Sequence, residues 1–309
     1  MIIDFHTHFF PDRIARKTID VLSDVSQIDP CTDGTARALS QSMERAGVDL
    51  SVNLPVLTRP EQAERVNDSL QEEMDDLRSN GILTFAGMHP GYADYRQKLR
   101  SLAHAGFKGI KLHPAYQRTD LDDPAMMKII DAACECGLTV LVHAGLDIGI
   151  PGHNYADVPM ILRVLDEVRP DRLVLAHMGG WKDWERVESD LAGANVWLDT
   201  AFSLGRIGRT SQNGSSCPQS TDLWQRYEAT EDPSGFEHGM LPTPADWYNL
   251  PQDSFVSLCR RHGTDKILFG TDCPWADQKQ YVDAFCSLAL TQEEQTAILG
   301  GNAMKLLGL

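Results

Sequence analysis

Met1-Ile2-Ile3-Asp4-Phe5-His6-Thr7-His8 opens the chain with an apolar run that ends in two histidines one residue apart. In an extended strand, residues two apart share a face, so both imidazoles reach one point beyond the strand's carboxyl end. Three later stretches repeat the design: Leu141-Val142-His143-Ala144-Gly145, Leu175-Ala176-His177-Met178-Gly179-Gly180 and Leu268-Phe269-Gly270-Thr271-Asp272-Cys273-Pro274. Each closes an apolar run with a residue that binds metal or moves a proton, and small residues then open a loop. Strand-like runs of this kind recur at 2–6, 48–55, 82–89, 107–113, 138–143, 172–177, 195–200 and 266–270. Amphipathic stretches such as 60–80, 94–105, 124–136, 158–168 and 181–191 lie between them. Strands alternating with helices imply parallel βαβ units, and eight such strands close a TIM barrel. The expected fold is therefore α/β, a (β/α)8 barrel formed by 1–309 as one domain.

Punctuation along the chain fits this frame. Gly47, Gly81, Gly106 and Gly137 follow helical stretches and precede strands, where a residue in left-handed conformation ends a helix. Residues 203–251 break the rhythm: they are polar and rich in Gly, Pro and Ser, yet they hold Trp224, Tyr227, Phe236, Trp247 and Tyr248. A disordered linker rarely carries so many aromatics. The segment is expected to be an ordered, lid-like insertion after strand seven, with an oligomer contact as the alternative that leaves a homodimer open.

Composition narrows the function classes. With 42% hydrophobic and 23% charged residues the chain is globular. A net charge of −16 disfavours nucleic acid and anionic membrane surfaces as partners and leaves a small-molecule substrate. The start of the chain lacks a leader pattern and no run approaches membrane-spanning length, so a cytoplasmic location is expected. Seven Cys without framework spacing agree with a reducing compartment. Cys134 and Cys136 diverge around a helix and read as buried or bystander thiols.

Neutral imidazoles and carboxylate are the ligands a borderline-soft divalent ion takes at a catalytic site with one position left for water. His6, His8, His143 and Asp272 supply three nitrogens and an oxygen, and one divalent ion, Zn2+, is the expected cofactor. Lys111 and His113 share a face of strand four in Gly109-Ile110-Lys111-Leu112-His113-Pro114. His89 ends strand three in a similar way.

The run Asp4-Phe5-His6-Thr7-His8, His143-Ala144-Gly145, Ala176-His177-Met178-Gly179-Gly180 and Gly270-Thr271-Asp272-Cys273-Pro274-Trp275 resembles the amidohydrolase superfamily. More narrowly it is similar to the amidohydrolase-related branch that includes aminocarboxymuconate-semialdehyde decarboxylase, and Gly301-Asn302-Ala303-Met304-Lys305-Leu306-Leu307 looks like that branch's usual tail. The resemblance implies a distorted barrel with a mononuclear metal held by His6, His8, His143 and Asp272, and a residue at His177 that works beside the metal. It also offers Lys111 as a carboxylated bridge between two metals, against the readings of a contact to a substrate carboxylate or a structural ion pair. Lys111, His113, Arg206 and Trp275 are the candidate substrate contacts, with Arg209 an alternative to Arg206. Members of the branch hydrolyse amides, esters or lactones, decarboxylate acids without oxidation, or hydrate a double bond, so fold and metal do not fix the reaction. The expected activity is a metal-dependent hydrolase using metal-activated water, with Asp272 as proton acceptor and donor and His177 on the nucleophile or oxyanion. A carboxy-lyase acting on an aromatic or muconate-type acid is the alternative, and a metal-binding protein without turnover a remote one.

Overall fold

The computed structural model describes residues 1–26, 28–150, 152–204 and 250–309. Most of the 203–251 insertion, including Arg206, Arg209 and its five aromatics, lies outside the described residues. Strands β1 (Ile3–Thr7), β2 (Leu50–Asn53), β3 (Ile82–Thr84), β4 (Ala86–Gly87), β5 (Gly109–Leu112), β6 (Thr139–Val142), β7 (Leu173–Leu175), β8 (Trp197–Asp199) and β9 (Ile267–Leu268) fall on the eight apolar runs of the sequence, β1 ending one residue past the first. β3 and β4 are two halves of the third barrel strand. Between them Phe85 donates its N–H to the Asn53 carbonyl at 2.9 Å, which carries the pairing across the break.

Every paired neighbour is parallel, in the orders β1-β2-β3 and β4-β5-β6-β7-β8-β9. The last strand returns to the first through Phe5 N–H to Phe269 O and Asp272 N–H to His6 O, both 2.8 Å, and through a parallel bridge between Thr7 and Cys273. The chain thus forms a distorted (β/α)8 barrel.

Helices cover the outside. Asp12–Ser26 and Ala36–Ala46 fill the connection between β1 and β2. Gly47 ends the second of these with φ 69°, its N–H turned back to Met43 and Glu44 carbonyls, and Gly81, Gly106 and Gly137 share its positive φ. A side chain strains this conformation, and glycine does not.

Alternation along the strands divides the core in two. Residues such as Ile110, Leu112, Val140 and Val142 face the helices. Phe5, Val52, Phe85, Leu141, Val174 and Leu268 fill the barrel interior, with Phe5 and Phe85 edge to face at 5.8 Å. The closing helix Asn302–Leu307 adds Leu306 and Leu307 to this inner cluster. Inward positions near the carboxyl ends of the strands are polar instead, which leaves that face for chemistry. No helix among the described residues is long and apolar enough to cross a membrane.

Candidate active site

The carboxyl ends of the strands surround a cavity of about 810 Å3 whose walls include His6, His8, Lys111, His113, His143, Asp147, His177, Asp272 and Trp275. The outer partner of each imidazole decides what its inner nitrogen offers. His6 Nδ1 lies 2.8 Å from Asp199 Oδ2, and His8 Nδ1 lies 2.7 Å from the Leu54 carbonyl. Carboxylate and carbonyl oxygens only accept, so both Nδ1 atoms carry a proton, and in the neutral form of each ring Nε2 is the lone pair. These lone pairs stand 3.6 Å and 3.1 Å from Asp272 Oδ1, itself buried without a hydrogen-bond partner. With both rings neutral, three lone pairs converge on one point, an arrangement that a cation resolves. The donor set, two neutral imidazoles and a carboxylate, fits a divalent ion.

The same reasoning applies one strand further round. His177 Nδ1 faces the Ala201 carbonyl at 3.0 Å, and His143 Nε2 faces the Leu146 carbonyl at 3.1 Å. Their remaining nitrogens, His177 Nε2 and His143 Nδ1, lie 3.0 Å apart, within hydrogen-bond distance of each other. His143 therefore approaches the His6, His8 and Asp272 trio through His177, and its ligand atoms converge instead with His113 and Asp147. The two loops are locked together at the backbone. Trp181 N–H bonds the Ala144 carbonyl at 2.9 Å and Leu146 N–H the Trp181 carbonyl at 3.0 Å. Gly145, φ 83°, is required there, because a Cβ would fall 2.2 Å from the Trp181 nitrogen.

Two of the cavity residues hold an unfavourable backbone. Asp272 has φ 73° and His177 φ 60°, left-handed values that Asp and His tolerate better than most residues but that still cost energy. Hydrogen bonds hold them there. Asp199 Oδ1 accepts from the His177 and Ala201 N–H groups, both at 3.0 Å. Asp4, fully buried, accepts from His6 N–H at 3.2 Å, Thr271 N–H at 2.9 Å, Thr271 Oγ1 at 2.6 Å and Gln278 Nε2 at 2.7 Å. One carboxylate thus fixes the residues flanking both His6 and Asp272.

Charge in the cavity is finely opposed. Burial pushes the Lys111 ammonium down to about 8, while Asp199, Asp272 and Asp147 pull the other way. Lys111 makes no ion pair within 4 Å among the described residues. Burial pushes Asp4, Asp147 and Asp199 each up to about 6. For Asp272 burial also pushes upward, but attraction to the protonated forms of His6, His8 and His177, with a hydrogen bond from the protonated His8 ring, outweighs it and holds the carboxyl below its usual range. His6, His113 and His143 are driven well down, first by burial, which keeps them neutral.

Lys111, His113 and Trp275 line the cavity with the proposed ligands. Arg206 lies outside the described residues. His89 is a local turn residue whose Nδ1 accepts the Gly91 N–H at 3.0 Å, and Cys134 and Cys136 are free thiols. Asp199, Asp147 and Asp4 were not singled out by the sequence pattern. Asp199 had a usable sign, an acid closing the apolar strand Val196-Trp197-Leu198-Asp199; Asp147 had none. Asp199→Asn should lower divalent-metal affinity about 10- to 100-fold, because the amide no longer fixes the His6 tautomer. Titration of chelator-treated protein with Zn2+ measures this, and an unchanged Kd would reduce Asp199 to a packing residue.

Residues 3–309 match the family model described as Amidohydrolase. No curated protein matches the chain. Among solved structures it is similar to 2,6-dihydroxybenzoate decarboxylase from Rhizobium, at 16% identity and TM-score 0.63 over 99% of this chain and 98% of that one. A dihydroxybenzoic acid decarboxylase from Polaromonas, with bound manganese and 2-nitroresorcinol, superposes at TM-score 0.64 and 16% identity over 100% and 97%. A probable 2-pyrone-4,6-dicarboxylic acid hydrolase from Acinetobacter baumannii gives 0.61 and 15% over 100% and 99%. These likenesses share the barrel across whole chains. With the family match running from β1 to the last residue, the chain belongs to the amidohydrolase family.

Proposed function

We propose that this protein is a metal-dependent hydrolase of a small carboxylate-bearing or cyclic substrate, an amide, ester or lactone. The observation that carries it is the convergence of His6 Nε2, His8 Nε2 and buried Asp272 Oδ1 in the cavity. His6, His8 and Asp272 would hold the ion, with His143 Nδ1 and His177 Nε2 beside them; Zn2+ suits so imidazole-rich a set. When bound, the ion supplies Lewis acidity toward a substrate oxygen and acidifies water.

The protein's own groups do the rest. Asp272, kept ionised by its neighbours, takes a proton at its carboxylate and returns it to the leaving group. His177 Nε2 faces the same space and orients the nucleophile or the developing oxyanion. Lys111 presents a buried cation to a substrate carboxylate, which the chain's negative charge would otherwise repel. Trp275 and the apolar wall exclude water.

Non-oxidative decarboxylation is the second reading. It is favoured by Lys111, a buried cation suited to a substrate acid, and by the decarboxylases among the similar structures. Metal-replete protein incubated with lactones, amides and aromatic or muconate-type acids, followed for pH change and released carbon dioxide together, separates the two. Acid release without carbon dioxide supports hydrolysis; carbon dioxide release overturns it.

About one tightly bound divalent ion per chain is expected, and His6→Ala or His8→Ala should strip it. Metal analysis of the purified proteins is the check. A stoichiometry near two would give Lys111 a bridging role, and full occupancy in the double variant would end the ligand assignment.

A further inference from the structure

His113, His143 and Asp147 have the composition of a second metal site, but their protons face the wrong way. His113 Nδ1 accepts the Tyr116 backbone N–H at 3.4 Å, and His143 Nε2 points at the Leu146 carbonyl. Each ring therefore carries its proton on Nε2, the nitrogen nearest the Asp147 carboxylate, where a metal would need a lone pair. Asp147 Oδ2 lies 3.5 Å from His113 Nε2 and 3.7 Å from His143 Nε2, too far for good hydrogen bonds.

The two oxygens of Asp147 have different duties. Oδ1 accepts the Gly149 N–H at 2.8 Å, which fixes the loop. Oδ2 keeps unspent acceptor capacity, in a side chain only 10% exposed that lines the cavity with Lys111, His113 and Asp272. A carboxylate oxygen that opens into a cavity and has its nearest side-chain donors at 3.5 and 3.7 Å is free to take a donor from a ligand.

We propose that Asp147 is a specificity residue that touches the substrate, its Oδ2 accepting a hydrogen bond from a hydroxyl or N–H group. This rests on the preceding reading for placing substrate in the cavity. Lys111 and Asp147 give one cavity a cation and an anion, so the matching substrate carries a carboxylate and, apart from it, a donor. A cavity built to bond a donor rejects the analogue that lacks it, because the acceptor is then left buried and unpaired.

The test uses calorimetric titration of metal-loaded parent, Asp147→Asn and Asp147→Ala. The probes are 4-hydroxybenzoate and 4-aminobenzoate against benzoate, and α-hydroxy-γ-butyrolactone against γ-butyrolactone. The parent should prefer a donor-bearing member roughly 10- to 100-fold. Asp147→Ala should erase that preference while binding the donor-free members within about 2-fold of the parent. Asp147→Asn, which keeps the shape and an acceptor oxygen, should retain part of it and covers the case of a poorly folding alanine variant. No preference in the parent, including no binding of any probe, overturns the assignment. So does an equal loss for donor-bearing and donor-free probes, the result expected if Asp147 only braced His143. Donor preference without turnover would sink the proposed reaction and leave Asp147 assigned; turnover without preference would do the reverse.

Discussion

Asp272→Asn is expected to lower kcat by at least about 100-fold, the usual cost of removing a positioned general base. The amide can still offer an oxygen toward His6 and His8, but it cannot take a proton at working pH. The fold should survive, since Asn accepts the left-handed φ of 73° at this position about as well as Asp. Metal content, melting temperature and single-turnover rate, measured together, separate the cases. A variant that keeps its metal and its rate would make Asp272 a ligand only. Because its neighbours hold Asp272 below the usual carboxylate range, the acid limb of the parent's pH profile should not follow this group.

Lys111→Met should stabilise the chelator-treated protein while damaging substrate binding. A folded-state value of about 8, against 10.5 when exposed, makes the buried ammonium a liability of roughly 3 kcal/mol at neutral pH. The sign follows from proton counting: between about 8 and 10.5 the unfolded chain binds this proton and the folded one does not. Stability of the parent should therefore climb with pH across that window. Urea unfolding at pH 7 and near pH 10 should show the climb in the parent, and the variant should lose it and gain stability at pH 7. Equal slopes in both proteins would mean that Lys111 is solvated or firmly paired. The accompanying rise in KM for acidic substrates, with metal content unchanged, would mark the cation as a substrate contact.

The barrel was legible in the sequence because its period is strong: each apolar run became a strand, and Gly47, Gly81, Gly106 and Gly137 took the left-handed turns expected of them. The meeting of His6, His8 and Asp272 in one cavity was legible too, since their side chains extend from strand ends whose order the barrel dictates. The paired orientation of His143 and His177 was not. It depends on which carbonyl each ring finds, Leu146 or Ala201, and those contacts are set by loops with no periodicity. Asp199 and Asp4 act across the barrel, 193 and 267 residues in sequence from His6 and Thr271 respectively, so their partners could not be read from the strands that carry them. Asp147 sits in a turn of its own making, where polar residues are ordinary.

The left-handed backbone at Asp272 and His177 carries a consequence for laboratory evolution. A selection for heat resistance alone rewards relief of that conformation, at a gain on the order of 1 kcal/mol per residue. Asp272→Gly and His177→Gly should accordingly enrich among thermally hardened but inactive clones. Their recovery would show where the fold and its chemistry compete for the same dihedral angles.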